Sequence, residues 1–103
     1  MKLEQYQIIH SNKLIAEFMG LETATFIPSG HLNYYHREFD SGTWYEVHEL
    51  SYNLSWDWLM PVIEEIDHLQ SETVKDIEDA LATRVIGDVY KAVLEFIINK
   101  YKN

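Results

Sequence analysis

The sequence predicts an α+β fold in which a small antiparallel sheet of about three strands is covered by helices. Apolar residues recur at helical spacing near the start and through the second half of the chain. Between these segments lies a region rich in β-branched and aromatic residues, with a turn sequence of hairpin length. The chain has 103 residues, of which 47% are hydrophobic, so we expect a single domain over residues 1–103.

The first predicted elements are a helix and a strand. Apolar residues at helical spacing predict a helix over residues 12–19, and Gly20 suits a left-handed C-terminal cap. Residues 3–9 keep the same period and could extend this helix at its start. Residues 23–27 are β-branched and aromatic and end at Pro28, which predicts an edge strand or the end of a strand.

The middle of the chain predicts a hairpin. Its arms are residues 32–39 and 43–52, and Asp40-Ser41-Gly42 is the turn between them. Neither face of the second arm is purely apolar, so the pattern leaves the pairing register open. The hairpin carries aromatic residues that could also form the edge of a homodimer, namely Tyr34, Tyr35, Trp44 and Tyr45.

The second half of the chain is expected to be helical. Ser55 caps a helix that runs to about Gln70, and Pro61 either marks its first true turn or kinks it. Residues 71–83 favour a helix, although an irregular connection or a strand would also fit. A strong C-terminal helix begins at about Thr83. The second helix is predicted to bury a stripe made of Leu59, Val62, Ile63, Ile66 and Leu69.

Three segments of the chain form a pattern, namely LIAEFMG at 14–20, YNLSWDWLMPV at 52–62 and VYKAVLEFI at 89–97. In this order they resemble the phage ABA sandwich family of small phage and prophage domains. The resemblance implies a helix-sheet-helix sandwich. It implies no reaction, cofactor or catalytic residue.

Charge limits the classes of partner. Seventeen acids against eight basic residues give a net charge of -9, which repels nucleic acids and anionic lipid surfaces, so direct binding to either is not expected. Residues 1–19 contain too many polar side chains for a signal peptide or a membrane span. The absence of cysteine fits a cytoplasmic protein and excludes thiolate chemistry.

The acids are concentrated between Asp57 and Asp79, where eight acids accompany one base, Lys75. We therefore expect a non-enzymatic protein-interaction domain that binds an unknown protein partner, for example as an acidic inhibitor or a nucleic-acid mimic. Trp56 either packs on the sheet while Trp58 closes the core, or anchors the partner. The candidate partner-binding residues are Glu64, Glu65, Asp67, Glu72, Asp76, Asp79 and Trp56.

A small metal-dependent hydrolase is the alternative function. His31, His36, Glu38 and His48 could converge on one face of the hairpin if the register allows it. No complete catalytic or metal-ligand motif surrounds them. The sequence therefore predicts no catalytic residue, no metal site and no cofactor.

Overall fold

A computed structural model describes residues 4–26, 30–38, 41–69 and 74–101. Over these residues the protein has four α-helices and a three-stranded antiparallel sheet, which confirms the predicted α+β class. The chain forms two compact units, Met1–Leu50 and Ser51–Asn103. The single domain expected over residues 1–103 stays a prediction. In the described part of the chain, every helix is too short or too polar to cross a membrane.

The first unit begins with helix α1, Gln5–Phe18, so the predicted extension toward the N-terminus is correct. Gly20 follows the helix at φ +69°, the left-handed conformation predicted for it. Its N–H donates to the carbonyl of Glu17, and the N–H of Leu21 donates to the carbonyl of Ala16. These two bonds satisfy carbonyls that the end of the helix would otherwise leave unpaired.

The sheet contains β1 (Thr23–Thr25), β2 (Leu32–Glu38) and β3 (Ser41–Glu46), in that order, so β1 is an edge strand as predicted. Glu38 pairs with Ser41 across the hairpin. The turn is therefore shorter than predicted, because Ser41 and Gly42 belong to β3 rather than to the turn. The predicted turn residue Asp40 and the strand-ending Pro28 lie outside the described residues.

Strand β3 ends earlier than the sequence pattern indicated. It was expected to continue to residue 52, but it stops at Glu46 and a 3₁₀ turn, Val47–Glu49, follows it. The backbone N–H of Glu46 donates to a side-chain oxygen of Glu49 at 2.8 Å, which caps this turn. The chain thus leaves the sheet within three residues of its last pair, Asn33 with Glu46.

One face of the sheet carries three aromatic rings. The ring centroid of Trp44 lies 5.1 Å from that of Phe26 and 5.0 Å from that of Tyr35, distances typical of favourable aromatic pairs. Tyr35 also covers Gly42, since a Cβ atom at Gly42 would lie 2.5 Å from the Cζ and Oη atoms of Tyr35. The aromatic ring therefore packs where the glycine leaves room. A homodimer through this hairpin stays a prediction.

The second unit consists of α2 (Trp56–Leu69), α3 (Lys75–Thr83) and α4 (Ile86–Phe96), and α4 is followed by a π-helical turn, Ile97–Tyr101. Helix α4 contacts both α2 and α3. The helix favoured within residues 71–83 is present, and α2 begins before Pro61 and continues through it. Arg84 joins α3 to α4 in the left-handed conformation, at φ 62°.

The buried stripe of α2 differs from the prediction at its end. Leu69 is 54% exposed, so its assignment to the core was wrong, whereas Trp58 is 6% exposed and belongs to the core. The stripe ends one turn early because Ile66 is the last residue of α2 that is buried. The Trp58 ring packs edge-on against Tyr52, with centroids 5.1 Å apart.

Replacing Gly42 tests the packing of Tyr35 on the hairpin. We expect Gly42→Ala to lower the free energy of unfolding by about 1–3 kcal/mol, because the new methyl group displaces the Tyr35 ring. Gly87→Ala is the matched control, since no atom lies within 4 Å of its added Cβ, and it should stabilise α4 by up to about 1 kcal/mol. Urea denaturation measures both. A Gly42→Ala protein as stable as the parent would contradict the packing.

Tyr52 gives the stability a dependence on alkaline pH. Burial raises the pKa of its phenol far above the ordinary value. The unfolded chain therefore ionises Tyr52 above about pH 10 while the folded chain keeps it neutral, so stability falls by up to about 1.4 kcal/mol per further pH unit. Between about pH 8 and pH 11, the free energy of unfolding should fall less in Tyr52→Phe than in the parent protein, as measured by denaturation at both pH values. Tyr6→Phe, at an exposed position, should show the same fall in the free energy of unfolding as the parent protein.

Candidate functional site

The acidic residues predicted to bind a partner lie on the outside of the second unit. Glu64, Glu65 and Asp67 are exposed on α2, and Asp76 and Asp79 are exposed on α3. Both helices pack against α4 and leave these side chains in solvent. Glu72 lies outside the described residues. We call the five described residues the acidic surface.

One described ion pair compensates part of this charge. Among the described residues, the ion pair within this surface joins Lys75 to Asp79, at 3.4 Å, and both side chains are largely exposed. Glu64 and Asp67 are three residues apart on one helix, as are Asp76 and Asp79, and like charges at this spacing repel each other. Asp67 also lies in the last turn of α2, where the helix dipole disfavours a carboxylate. Local helix stability therefore does not account for Glu64 and Asp67. By contrast, Asp76 lies in the first turn of α3, where the helix dipole favours a carboxylate, and Asp79 pairs with Lys75.

Apolar side chains are exposed near the start of α2. Trp56 and Met60 are each 37% exposed, and Leu54 just before the helix is 78% exposed. Trp56 and Met60 are four residues apart, so they share one face of the helix. Of the two tryptophans, Trp58 is the one that is buried, and Trp56 remains accessible as an anchor.

A second group of polar side chains lies in the first unit, at the point where β3 ends. Glu46, His48 and Glu49 each have a nitrogen or carboxylate oxygen atom that could bind a metal ion, and these three atoms all lie within 4.8 Å of one another. His31 Nδ1 lies 2.5 Å from Oε1 of Glu46, and because a carboxylate only accepts, the ring nitrogen donates. His48 Nε2 lies 3.9 Å from Oε2 of the same carboxylate. We call these four residues the Glu46 cluster.

The cluster opens into a pocket of about 380 Å³. Lys13 of α1 and Tyr34 of β2 line it together with His31, Glu46 and His48. Burial, and after it the negative charge of Glu17, raises the pKa of the Tyr34 phenol. Tyr34 therefore contributes a neutral hydroxyl-bearing ring to the lining of the pocket.

The predicted convergence of the hairpin histidines is only half right. His31 and His48 meet at Glu46, but His36 is buried and its ring lies 6.3 Å from that of Tyr45. His36 pairs with Thr43, three residues before Glu46 on β3, which places it about 10 Å along the strand from the cluster. The side chain of Glu38 lies outside the part of the chain that the structure describes. His36 therefore does not join His31 and His48, and the metal-dependent hydrolase stays a prediction.

Glu46 and Glu49 were missed as site residues by the sequence analysis. Their signal is the spacing Glu46-x-His48-Glu49, which brings donor groups together only if the chain turns tightly there. A continuous strand to residue 52 would have placed successive side chains on opposite faces. The 3₁₀ turn at Val47–Glu49 replaces that alternation with a single turn.

A buried amide holds this turn in place. The side chain of Asn12 in α1 is 2% exposed, and its Nδ2 atom donates to the carbonyl of Leu50 at 2.9 Å. Leu50 directly follows the 3₁₀ turn, and α1 contacts the turn itself. The polar residue in the middle of α1 therefore positions the cluster relative to Lys13.

Comparisons with protein families, with curated proteins and with solved structures find no match to this chain.

Removing the Asn12 amide should loosen the first unit. We expect Asn12→Ala to lower the free energy of unfolding by about 1–3 kcal/mol, because the buried carbonyl of Leu50 loses its donor. Ser11→Ala is the matched control on the neighbouring helical position and should change it by less than about 0.5 kcal/mol. Urea denaturation of both variants makes the comparison. Equal stability of the two would show that the hydrogen bond contributes little.

Proposed function

We propose that this protein is a non-enzymatic protein-binding domain, a cytoplasmic accessory protein of a phage or prophage, that binds a basic partner through the acidic surface. The observation that carries the proposal is the exposure of all five carboxylates, among which the described ion pairs supply a cation only to Asp79, from Lys75. The resemblance of three segments to the phage ABA sandwich family supports the phage origin.

The energetics of α2 favour a role in binding. Like-charge repulsion between Glu64 and Asp67, and the position of Asp67 at the negative end of α2, each cost the folded protein a few tenths of a kcal/mol. A partner with lysine or arginine side chains would remove these costs on binding. Complementary charge also speeds encounter and selects against partners of the same sign.

The exposed apolar side chains indicate what else the partner offers. Trp56 and Met60 lie on the same helix as three of the acids, and tryptophan is enriched among residues that dominate binding energy. The partner would therefore combine a basic surface with an apolar pocket. A groove that normally binds nucleic acid meets the first requirement, and the acidic surface would occupy it as a mimic of the phosphate backbone.

Neutralising the acidic surface tests the proposal. In capture from host lysate, we expect the parent protein to retain a stoichiometric basic partner, and the combined variant Glu64→Gln, Glu65→Gln, Asp76→Asn and Asp79→Asn to lose it. Retention should also fall between about 0.1 M and 1 M salt, since the screening length shortens from about 10 Å to 3 Å. Mass spectrometry identifies what is retained.

A matched variant tests whether binding depends on the position of the negative charges or only on their number. Glu4→Gln, Glu22→Gln, Asp88→Asn and Glu95→Gln remove the same number of exposed acids elsewhere, and this protein should retain the partner. Trp56→Ala should weaken retention at both salt concentrations, whereas Leu69→Ala, at an exposed apolar position of the same helix, should not. Equal retention by the two fourfold variants would contradict the proposal.

A further inference from the structure

We propose that the Glu46 cluster is a binding site for one divalent transition-metal ion of the zinc class, with Glu46, His48 and Glu49 as ligands and His31 as the group that orients Glu46. This goes beyond the proposed binding function, because the cluster lies in the first unit and shares no residue with the acidic surface.

The donor set suits such an ion. Imidazole nitrogen and carboxylate oxygen are both ligands of Zn²⁺, and a mixed set of this kind is found where zinc keeps an exchangeable position. The two glutamates bring two negative charges to a divalent ion. Lys13 also lines the pocket, and its positive charge disfavours a bound cation. Among the described residues, the structure shows no ion pair between Lys13 and Glu46.

The distances are compatible with a shared ion. Zinc bonds to nitrogen and oxygen are about 2.0–2.2 Å long, so two ligand atoms on one ion lie at most about 4.2 Å apart. The 3.9 Å between His48 Nε2 and Glu46 Oε2 is already within this limit. The three ligand atoms lie within 4.8 Å of one another, so they must move less than 1 Å closer together to share one ion. Rotation of the partly exposed side chains supplies this movement.

The backbone holds the ligands in place before an ion arrives. The 3₁₀ turn carries His48 and Glu49, Glu46 directly precedes it as the last residue of β3, and the hydrogen bond from the Glu46 N–H to Glu49 fixes the glutamate that closes the turn. The Asn12 bond to Leu50 fixes where the turn ends. Metal sites that are partly organised in advance lose less entropy when the ion binds.

His31 has the position of a supporting group. Its Nδ1–H donates to Oε1 of Glu46, while His48 approaches Oε2 of the same carboxylate. A ligating carboxylate held by a hydrogen bond on its other oxygen is a recurring arrangement at metal sites. His31 would orient Glu46, and Oε2 would face the ion. The pocket beside Glu46 and His48 would leave room for a water ligand.

Zinc binding to the tag-free protein tests the site. By isothermal titration with ZnCl₂ we expect one ion per chain. His48→Gln and Glu46→Gln should each weaken the affinity at least about tenfold, and His31→Gln about tenfold, the effect typical of a supporting group. Cobalt(II) as a probe should give the visible absorption of a low-coordinate site in the parent and lose it in His48→Gln.

Two variants control for charge and for adventitious binding. His68→Gln removes an exposed histidine on α2 and should leave the affinity unchanged. Lys13→Gln removes the opposing charge and should leave binding as tight or tighter. Circular dichroism shows whether Glu46→Gln still folds, and His48, 59% exposed, can be replaced without disturbing the fold. Absence of zinc binding by the parent, or equal losses in His48→Gln and His68→Gln, would overturn the proposal.

Discussion

The hydrogen bond from the buried amide of Asn12 to the carbonyl of Leu50 is the constraint on which the first unit depends. A helix interior is a poor place for asparagine unless its side chain finds a partner outside the helix. Here the partner is the backbone just after the sheet, so one bond fixes helix α1, the 3₁₀ turn and the end of β3 together. The bond therefore helps to position the 3₁₀ turn that carries His48 and Glu49 of the Glu46 cluster.

The second unit depends on local packing instead. Helices α3 and α4 are joined by Arg84 and Val85, and Arg84 adopts the left-handed conformation, which costs a non-glycine residue roughly 1–2 kcal/mol. The packing of α4 against its neighbours offsets that cost and leaves the polar faces of α2 and α3 in solvent. The two units thus expose different chemistry, a broad acidic surface with one described ion pair in one and a compact hydrogen-bonded cluster in the other.

Much of the fold follows from the sequence, and most of the cluster does not. Helical spacing predicts α1, α2 and α4 because one burial pattern repeats over several turns, and it fails only at an end, as for Leu69. Strand β3 was predicted too long, since alternation between polar and apolar residues does not distinguish a strand from a 3₁₀ turn over three residues. The meeting of His31 with Glu46 depends on the hairpin register, and polar residues on both faces leave that register open.

The Asn12 bond also bears on the order in which the protein becomes structured during synthesis. Its two partners are 38 residues apart, whereas α3 and α4 are neighbours along the chain. At about 5–20 residues per second, Leu50 is made roughly 2–8 s after Asn12, so α1 waits that long for its partner. The first unit is therefore incomplete, and open to chaperones and proteases, until Leu50 has been made.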